Sequence, residues 1–416
     1  MKAQEKLKAK YVIIGNSAAA VGGVEGIRAV EQKEDIILVS SEPHFTYSRP
    51  LISYLLGGQT DMQRIKYRSP DFYKQNNAAL MAGRTAVKIE ADKKSVLLEN
   101  GDVLSYEKLL YAAGSRPFIP NLEGLEQVKN KFTFMSLNDA LALERAVNKR
   151  SRVLIMGAGL IGLKCAEGLY ERAGSITVVD LADRVLSSIL DERGAAIMLK
   201  HLEAKGIKVK LNAGVKAFTP EGAVLEKELV PFDVLVIAVG VRPNIELLKD
   251  AGADCGRGVI VDEHSRTSLK DVYAAGDCTQ CRILSSGESR ILALLPNAYM
   301  QGETAGRSMA GEEARFVQAV PMNSMGVLGL HMVTCGVYEG QSVISDADGK
   351  YKRLFVKDGV LKGYIMLGDV ERAGIYTSLI REEIPLSGIN FELLAQAPQL
   401  MAFSSQYRRS KLGEKV

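Results

Sequence analysis

Cysteine and histidine are scarce and scattered in this sequence, and tryptophan is absent. The five cysteines are an odd number spread over a long chain, so they do not form a disulfide framework and fit a reducing cytoplasm. The four histidines lie far apart and show none of the spacings of a metal site. No cysteine precedes Cys165, so a long amino-terminal stretch offers no thiol for redox chemistry.

Long apolar runs and a strong net charge are also missing. The amino end, MKAQEKLKAK, is charged and leads directly into YVIIG, without the apolar core of a signal peptide. No apolar run approaches the length of a transmembrane helix. The net charge of +4 is small for a chain of 416 residues, which argues against nucleic acid or a membrane surface as the main partner. We therefore expect a cytoplasmic protein.

Two segments share one plan, in which a short buried strand leads through a turn of small residues into a helix. They are YVIIGNSAAAVGGVEGIRAV, residues 11–30, and RVLIMGAGLIGLKCAEGLYE, residues 152–171. A chain of 416 residues is long enough for two or three domains. The shared plan predicts an α/β protein with a duplicated nucleotide-binding domain.

The second segment carries a complete G-x-G-x-x-G motif. Its first glycine allows a tight turn, its second allows a pyrophosphate to approach the backbone, and its third allows the helix to pack closely on the strand. The strand SITVVD then ends in Asp180, whose carboxylate accepts ribose hydroxyls and repels a 2′-phosphate. Arg184 weakens this preference for NADH, because an arginine can bind a 2′-phosphate. The predicted NAD contacts in the motif are Gly157, Gly159, Leu160, Ile161 and Gly162.

The first segment is a degenerate version of the same motif. It keeps Gly15 but has Ser17 and Ala20 at the other two glycine positions. Both replacements are small, and the hydroxyl of Ser17 can join the phosphate contacts. The next strand leads to Glu42, the candidate for a ribose contact. Taken alone, this segment leaves a nucleotide site and a plain βαβ unit equally open.

Three later segments favour the nucleotide site. LLYAAGSRP (109–117), VLVIAVGVRPN (234–244) and VYAAGDCTQC (272–281) are apolar strands that enter a glycine turn, and the first two contain Gly-x-Arg-Pro. With them, the sequence resembles the two-dinucleotide-fold flavoprotein reductases of the pyridine nucleotide-disulfide oxidoreductase superfamily. In that family the first copy binds FAD and the second, inserted within it, binds NAD(P)H. The resemblance implies an FAD-binding domain at 1–119 and 244–319, an NAD-binding domain at 120–243 and a small α+β interface domain at 320–416.

The resemblance also implies which residues contact the cofactors. Gly240 closes the NAD domain, and the Gly-Asp pair of the third strand holds the FAD ribityl and phosphate region; for Asp277 a plain helix cap is the alternative. A helix that begins near Pro296 would direct its amino end at the flavin and stabilise the reduced anion. The implied FAD contacts are Gly15, Ser17, Ala18, Glu42, Arg49, Val87, Ala113, Gly114, Arg116, Gly276, Asp277, Pro296 and Asn297.

The loop PHFTYSRPLIS, residues 43–53, lies where the resembling NADH oxidases and coenzyme A disulfide reductases keep a reactive cysteine, yet it contains none. It is similar to the Tyr-Ser-Arg-Pro loop of rubredoxin reductases and of the flavin portion of NADH-dependent nitrite reductases. There the arginine lies beside the flavin. Arg49 and Pro50 are therefore candidate catalytic residues, and a rigid surface turn with a solvated arginine is the alternative.

Two positions depart from the family pattern together. Family members often carry a Lys shortly after Arg-Pro and a Glu just after the second glycine motif, where this chain has Tyr54 and Lys164. We expect Lys164 to be a catalytic cation that influences nicotinamide placement, and a solvated helix lysine is the alternative. CTQC, residues 278–281, has the spacing of a redox pair, although a structural role is favoured.

The chain changes character after about residue 320. Asp358-Gly359 between two alternating strands predicts a β-hairpin. The tail, residues 389–416, is mixed apolar and basic, and suits either a frayed surface helix or the docking of an acidic redox protein such as a ferredoxin. This region also resembles the NADH-linked flavin subunits of 2-oxoacid:acceptor oxidoreductases, such as phenylglyoxylate dehydrogenase.

Together these features predict an FAD enzyme that transfers electrons between NAD(H) and a one-electron iron–sulfur partner. The expected setting is an oligomer or hetero-complex, as the NADH-linked subunit of a 2-oxoacid oxidoreductase. A free-standing NADH:rubredoxin or ferredoxin reductase, or a nitrite-reductase-type flavoprotein, is the first alternative. A structural subunit that retains FAD with little turnover is the second.

Overall fold

The computed structural model describes residues 6–282, 287–317, 319–347 and 349–411. The first five residues of the charged amino end and the last five of the basic tail lie outside the described residues. Among the helices that are described, none combines the length and apolar character that a membrane crossing requires.

The first part of the chain forms a sheet with helices packed against it. Its elements are β1 (Lys6–Ile14), α1 (Ala18–Val30), β2 (Ile36–Ser40), α2 (Ile52–Leu56), α3 (Phe72–Gln75), β3 (Ala78–Ala82), β4 (Ala86–Glu90), β5 (Ser95–Leu98), β6 (Val103–Tyr111) and β7 (Ser115–Pro117), with 3-10 turns at Arg49–Leu51 and Ala91–Lys93. The sheet order is β3-β2-β1-β6-β5-β4, and β1 pairs in parallel with β2 and β6. Val12 and Ile13, on opposite faces of β1, are both fully buried, as expected for a strand covered on both sides.

The second part forms a separate parallel sheet. Its elements are a 3-10 turn (Leu125–Gln127), β8 (Lys131–Phe132), α4 (Leu137–Ala146), β9 (Arg152–Met156), α5 (Leu160–Leu169), β10 (Ser175–Val179), α6 (Glu192–Ala204), β11 (Lys208–Lys210), β12 (Ala217–Thr219), β13 (Gly222–Val224), β14 (Leu229–Val230), β15 (Val234–Ile237) and β16 (Val241–Pro243). The order is β11-β10-β9-β15-β8, and β12, β13 and β14 form a small antiparallel sheet. Strands β7 and β16 pair antiparallel, so the two Gly-x-Arg-Pro segments lie side by side where the chain enters and leaves this domain.

The third part returns to the first sheet. Its elements are α7 (Glu246–Asp250), β17 (Val259–Ile260), β18 (Val272–Ala274), β19 (Thr279–Arg282), β20 (Ser289–Arg290) and α8 (Leu295–Met309). Strand β18 pairs in parallel with β6 of the first sheet. One nucleotide fold is therefore inserted within another, which confirms the predicted fold class; the exact residue limits of the domains stay predictions.

Helices α1 and α8 cross at a contact between their backbones. A Cβ atom on Gly22 would collide with the carbonyl oxygen of Tyr299, and one on Gly302 would collide with the carbonyl oxygen of Ala19. Glycine is needed here because of this close approach, and the contact holds the amino end of α8 against the start of α1.

The last part is an antiparallel sheet with helices. Its elements are β21 (Met322–Val327), β22 (Leu330–Gly336), β23 (Gln341–Ala347), β24 (Lys350–Lys357), β25 (Val360–Leu367), α9 (Ala373–Arg381), α10 (Phe391–Gln396) and α11 (Ser405–Lys411), with 3-10 turns at Leu386–Gly388 and Leu400–Ala402. The sheet order is β21-β22-β25-β24-β23. Asp358 and Gly359 join β24 to β25 with φ of 54° and 71°, so the predicted hairpin is confirmed.

Both faces of this last sheet are covered. Leu354 and Tyr364 pack on one face in a core shared with α9, whereas Tyr351 and Phe355 on the other face join the core of the second domain. The sheet is thus fixed to the nucleotide domains through apolar contacts.

Candidate functional site

The two strand–turn–helix segments place their first glycines in the same conformation. Gly15 has φ of +125° and Gly157 has φ of +109°, values that side chains rarely adopt. A Cβ atom on Gly15 would collide with the carbonyl oxygen of Ala112, and one on Gly157 would collide with that of Ala238. Only glycine therefore fits at either turn.

Helices α1 and α5 begin directly after these turns. Their N-cap residues are Ser17 and Gly159, and neither helix has a side chain that caps its first-turn N–H groups. A Cβ on Gly159 would point into open space, which leaves room for a phosphate to approach the backbone. Both helix ends are suited to bind a pyrophosphate. The predicted residues Ala18, Leu160 and Ile161 form the first turns of the two helices.

Asp180 lies beside the second glycine turn. Its carboxylate accepts hydrogen bonds from the backbone N–H of Ala158 at 2.6 Å and of Ala182 at 2.8 Å. This places the acid where the ribose of a dinucleotide would lie. Arg184 forms an ion pair with Asp183 at 2.9 Å, so the nearby arginine has an acidic partner of its own.

Two exposed apolar residues near the second glycine turn, Leu181 and Val239, escaped the sequence analysis. Leu181 follows Asp180 directly, is 81% exposed and lies against Gly214. Val239 follows the parallel strand β15 and is 37% exposed. Because the carboxyl ends of parallel strands share one edge of the sheet, both residues lie at the edge that carries the second glycine turn. A large apolar residue directly after an acidic strand end is the signal that could have been used.

Arg49 connects three segments around the first glycine turn. It donates from Nη2 to Glu42 Oε1 at 2.5 Å, from Nε to Ser17 Oγ at 3.3 Å and from Nη1 to the carbonyl oxygen of Met135 at 2.9 Å. Burial acts to lower the pKa of Arg49, but its interactions with Tyr47 and Glu42 outweigh burial and raise it. About a third (34%) of the Arg49 side chain is exposed, and its three protein partners favour the flavin-side role over the alternative of a solvated surface arginine. Pro50 follows in the short 3-10 turn Arg49–Leu51.

Tyr47 is a residue of this site that the sequence analysis missed. Its buried hydroxyl donates to Glu42 Oε2 at 2.6 Å and accepts from the backbone N–H of Leu137 at 2.9 Å. It therefore orients the Glu42 carboxylate and ties the loop to the start of α4 in the second domain. The cleft here is lined by Asn16, Ser17, Ser40, Glu42, His44, Phe45, Tyr47 and Arg49.

The third strand brings Gly276 to the same place. A Cβ on Gly276, whose φ is +85°, would lie 3.1 Å from the Cβ of Ala19 in α1 and 3.5 Å from that of Ala298 in α8. Gln301, also missed by the sequence analysis, accepts hydrogen bonds from the Gly276 N–H at 2.8 Å and from the Thr279 hydroxyl at 2.9 Å. The starts of α1 and α8 thus converge on the Gly276 turn.

Asp277 follows this turn and lies close to the other predicted FAD contacts. Ser115 Oγ donates to its Oδ2 at 3.3 Å. Burial raises the pKa of Asp277, while Ser115 and the positive charge of Arg49 act in the opposite direction. Pro296 lies in the first turn of α8, as expected, and Asn297 is buried and donates to the carbonyl oxygen of Val320 at 3.2 Å.

Arg116 has a structural partner at the crossing between the domains. Its guanidinium forms an ion pair with Glu246 at 2.6 Å and is half exposed, so its predicted FAD contact is not supported by its side chain. The turn residues Ala113 and Gly114 are held by Asn244, which donates to their carbonyl oxygens at 2.8 Å and 2.9 Å. Gly240, with φ of +116°, accepts from the N–H of Phe118 at 2.9 Å.

The side chain of Val87 does not lie among the predicted FAD contacts around the first glycine turn. It lies on the outer strand β4 and is 45% exposed, and among the described residues we find no contact that joins it to the cleft. The FAD contact that the family resemblance implied at Val87 therefore has no support from its side chain and stays a prediction.

The thiols of CTQC are not arranged for redox chemistry. Burial raises the pKa of Cys278 to about 12 and that of Cys281 to about 11, and both are free. The sulfur of Cys278 faces the carbonyl oxygens of Ala275 and Tyr111 at 3.4 and 3.6 Å. A reactive thiol needs a stabilised thiolate, so these contacts support the structural interpretation.

Lys164 lies where α2, α5 and the last sheet meet. Its Nζ pairs with the carboxylate of Glu167, lies 4.3 Å from the centroid of the Tyr54 ring and donates to the carbonyl oxygen of Gly326 at 3.1 Å. Only 17% of its side chain is exposed, so the alternative of a solvated helix lysine is wrong. Its influence on the nicotinamide stays a prediction.

The chain has two glycine turns that are suited to bind phosphate, with Asp180 beside one turn and the Arg49 cleft beside the other. This arrangement is typical of an enzyme that binds two nucleotides. Residues 9–302 match the family described as pyridine nucleotide-disulphide oxidoreductase, and residues 321–384 match the rubredoxin NAD⁺ reductase C-terminal domain. The chain belongs to the pyridine nucleotide-disulphide oxidoreductase family. It is therefore an NAD(P)H-dependent flavoprotein oxidoreductase with FAD and NAD(H) as cofactors, which confirms the resemblance.

Individual relatives span nearly the whole chain. Subunit epsilon of NADH-dependent phenylglyoxylate dehydrogenase from Aromatoleum evansii is 30% identical over 400 residues, 93% of this chain and 94% of the relative. NADH-rubredoxin oxidoreductase of Clostridium acetobutylicum is 27% identical over 365 residues, 87% of this chain and 91% of the relative. The solved structure of putidaredoxin reductase in its covalent complex with putidaredoxin has a TM-score of 0.85 over 93% of this chain and 95% of that chain, at 23% identity, and so shares the fold.

Proposed function

We propose that this protein transfers electrons between NAD(H) and an iron–sulfur protein through bound FAD, as the NADH-linked subunit of a larger 2-oxoacid:acceptor oxidoreductase. One observation carries the proposal. The segments that follow the two nucleotide turns contain Arg49, Tyr54 and Lys164 and no accessible thiol, since the first cysteine, Cys165, is fully buried and burial raises its pKa. Electrons therefore leave toward a partner and not toward a disulfide of this chain.

The residues present fit FAD at the first turn. Gly15 leaves no room for a side chain, the first-turn amides of α1 are uncapped, and Ser17, Glu42 and Arg49 supply a hydroxyl, an acceptor and a fixed cation. The positive end of α8 would lie nearby and favour negative charge. When bound, FAD accepts a hydride from NADH and passes electrons on singly.

The chain's part in this reaction is positioning. Hydride transfer depends on a short, fixed distance between the two cofactors. Tyr47 ties the loop of the first domain to Leu137 of the second, and the contact of Lys164 with Tyr54 ties α5 to α2. Both links cross between the domains and hold the nucleotide turns in fixed relation. No side chain is required as a general acid or base.

The similarity to known relatives supports two candidate settings for the electron partner. The match to subunit epsilon of phenylglyoxylate dehydrogenase covers almost all of both chains, which supports the complex-subunit role. A free-standing rubredoxin or ferredoxin reductase is the second candidate, favoured by the match of residues 321–384 to the rubredoxin NAD⁺ reductase C-terminal domain. The expected cytoplasmic location stays a prediction.

Anaerobic rapid mixing of the FAD-loaded protein with NADH tests the proposal. We expect bleaching of the flavin absorbance, followed by reoxidation with oxidised ferredoxin or rubredoxin but not with a small disulfide. Absence of bleaching would favour a structural subunit over a reductase. Equally fast reoxidation of the flavin by the disulfide would contradict the proposal that electrons leave only toward an iron–sulfur partner.

Co-purification then separates the two candidates. A partner that carries iron–sulfur clusters or thiamine diphosphate supports the complex subunit. A protein that purifies alone and reduces rubredoxin supports the free-standing reductase.

A further inference from the structure

The loop 181–190 borders the second nucleotide turn. It lies between Asp180 and Asp191 and joins β10 to α6. The N–H of Leu186, in the middle of the loop, donates to the carbonyl oxygen of Ala158 within the G-x-G-x-x-G motif at 3.0 Å. The motif and the acid are the phosphate- and ribose-binding parts of a dinucleotide site. A shift of the loop would therefore move backbone that contacts this site.

The loop is held in place partly by another domain. Leu186 has φ of 52°, a conformation that is unfavourable for a residue with a bulky side chain. Such a conformation persists only where the surroundings impose it. The side chains of Leu186 and Leu190 are buried in a core that also contains Tyr351 and Phe355 of the last sheet. The surroundings that impose the shape of the loop thus include the last domain.

Three side chains of the last domain hold the end of the loop through hydrogen bonds. The hydroxyl of Tyr338 donates to the carbonyl oxygen of Ile189 at 2.6 Å. The hydroxyl of Tyr351 donates to Asp191 Oδ2 at 2.5 Å, and Arg353 donates from Nη1 to the same oxygen at 2.9 Å. The end of the loop cannot move away from the last sheet without breaking these bonds.

We propose that Tyr338 and Tyr351 are positioning residues for NAD(H). They act through the loop 181–190, so the last domain sets how tightly the second nucleotide turn binds its ligand. The proposal rests on the binding of NAD(H) at this turn, and it is independent of the identity of the electron partner. It gives the last domain a part in the nucleotide site, besides any contact with other proteins.

Replacing either tyrosine by Phe removes the bond to the loop and keeps the ring. The ring of Tyr338 stacks on Phe355 with centroids 4.9 Å apart, and that of Tyr351 is buried, so the apolar contacts remain. Asp191 keeps its bond from Arg353, so its charge retains a partner. A loop released at one end spends less time in the binding conformation, and the apparent affinity falls by that fraction.

The test is the affinity of the FAD-loaded full chain for ADP-ribose, which carries the phosphates and riboses of NAD but no nicotinamide. By titration calorimetry, we expect Tyr338→Phe and Tyr351→Phe each to bind it about 3- to 10-fold more weakly, and the double variant more weakly still. In stopped-flow reduction by NADH, the half-saturating concentration should rise by a similar factor. The limiting rate of flavin bleaching should stay native, because the loop borders the ribose end of the site and the reaction takes place at the nicotinamide.

Tyr376→Phe is the matched control. It also removes a bond from a tyrosine hydroxyl to a backbone carbonyl of the last domain, that of Leu394 at 2.5 Å, but in the core on the other face of the sheet. Thermal unfolding should show a loss of stability, while the affinity for ADP-ribose should stay native.

Three results would overturn the proposal. They are native affinity for ADP-ribose in the folded double variant, an equal loss of affinity in Tyr376→Phe, and a lower limiting rate with an unchanged half-saturating concentration. Bleaching of the native flavin by NADH would still occur in each case, so these results are distinct from a failure of the proposed function.

Discussion

Lys164 Nζ lies 4.3 Å from the centroid of the Tyr54 ring, and this contact joins the helix that follows the NAD turn to the helix that follows the Arg49 loop. The pair occupies two positions at which the sequence departs from its family. A cation over an aromatic face is an attractive contact, so it links α2 to α5. The two departures from the family pattern are therefore in contact with each other.

Replacing Tyr54 by Lys should break this link, because it places a second cation beside Lys164. We expect a loss of about 1–2 kcal/mol in the free energy of unfolding and slower reduction of the flavin by NADH. Tyr54→Phe keeps the ring and should behave like the native protein. Thermal unfolding and stopped-flow absorbance measure the two effects. An equal loss in both variants would show that the hydroxyl matters and not the ring face.

Replacing Arg49 by Lys should weaken FAD binding. The guanidinium donates to Ser17, Glu42 and Met135 in three directions, and a single ammonium cannot reproduce that fork. We expect an affinity about 10- to 100-fold lower, measured by flavin fluorescence during dilution. Arg64→Lys, at an arginine 70% exposed, is the matched control and should change nothing. Equal FAD affinity in both variants would contradict the role of Arg49.

Replacing Asp180 by Ser should relax the preference for NADH. The carboxylate lies beside the glycine turn and would repel a 2′-phosphate. We expect the ratio of kcat/KM for NADH over NADPH to fall about tenfold or more, equivalent to about 1.4 kcal/mol. If NADPH already reduces the native protein as fast as NADH, the assignment is wrong. Asp183→Asn, which releases Arg184 from its ion pair, should by itself improve the use of NADPH.

Local patterns predicted the two nucleotide turns, because the requirement for glycine at Gly15 and Gly157 is set by the backbone of the turn itself. The hairpin at Asp358-Gly359 is local in the same sense. The link from Tyr47 to Leu137 could not be predicted, since it joins residues of different domains. Val87 shows the same limit, because the family resemblance that implied its FAD contact does not specify where its side chain lies, and Val87 is 45% exposed.

Asp191 should make the stability of the protein depend on pH. Burial acts to raise the pKa of Asp191, but hydrogen bonds from Tyr351, Gly194 and Arg353 outweigh burial and lower it below its ordinary value of 3.8. A lowered pKa in the folded state contributes stability that is fully present above the ordinary value and is lost as the pH falls through the lowered one. The carboxylate thus fastens the last sheet to α6 at neutral pH.

Asp191→Asn should therefore cost about 2 kcal/mol at pH 7 and less in acid, below the ordinary pKa. Denaturant unfolding of both proteins at neutral and acidic pH measures the difference. A difference that stays constant with pH would show that charge is not involved.

Replacing Gly302 by Ala should disrupt the crossing of α1 and α8. The added Cβ would collide with the carbonyl oxygen of Ala19, a backbone atom that cannot move aside without shifting α1. We expect a loss of about 3 kcal/mol in the free energy of unfolding together with weaker retention of FAD, because the starts of both helices converge on Gly276. Gly374→Ala, also within a helix but facing open space, should be neutral or slightly stabilising. Thermal unfolding with and without added FAD compares the two variants. Retention of native stability in Gly302→Ala would mean that the helices can separate without cost, and that their contact does not position the flavin site.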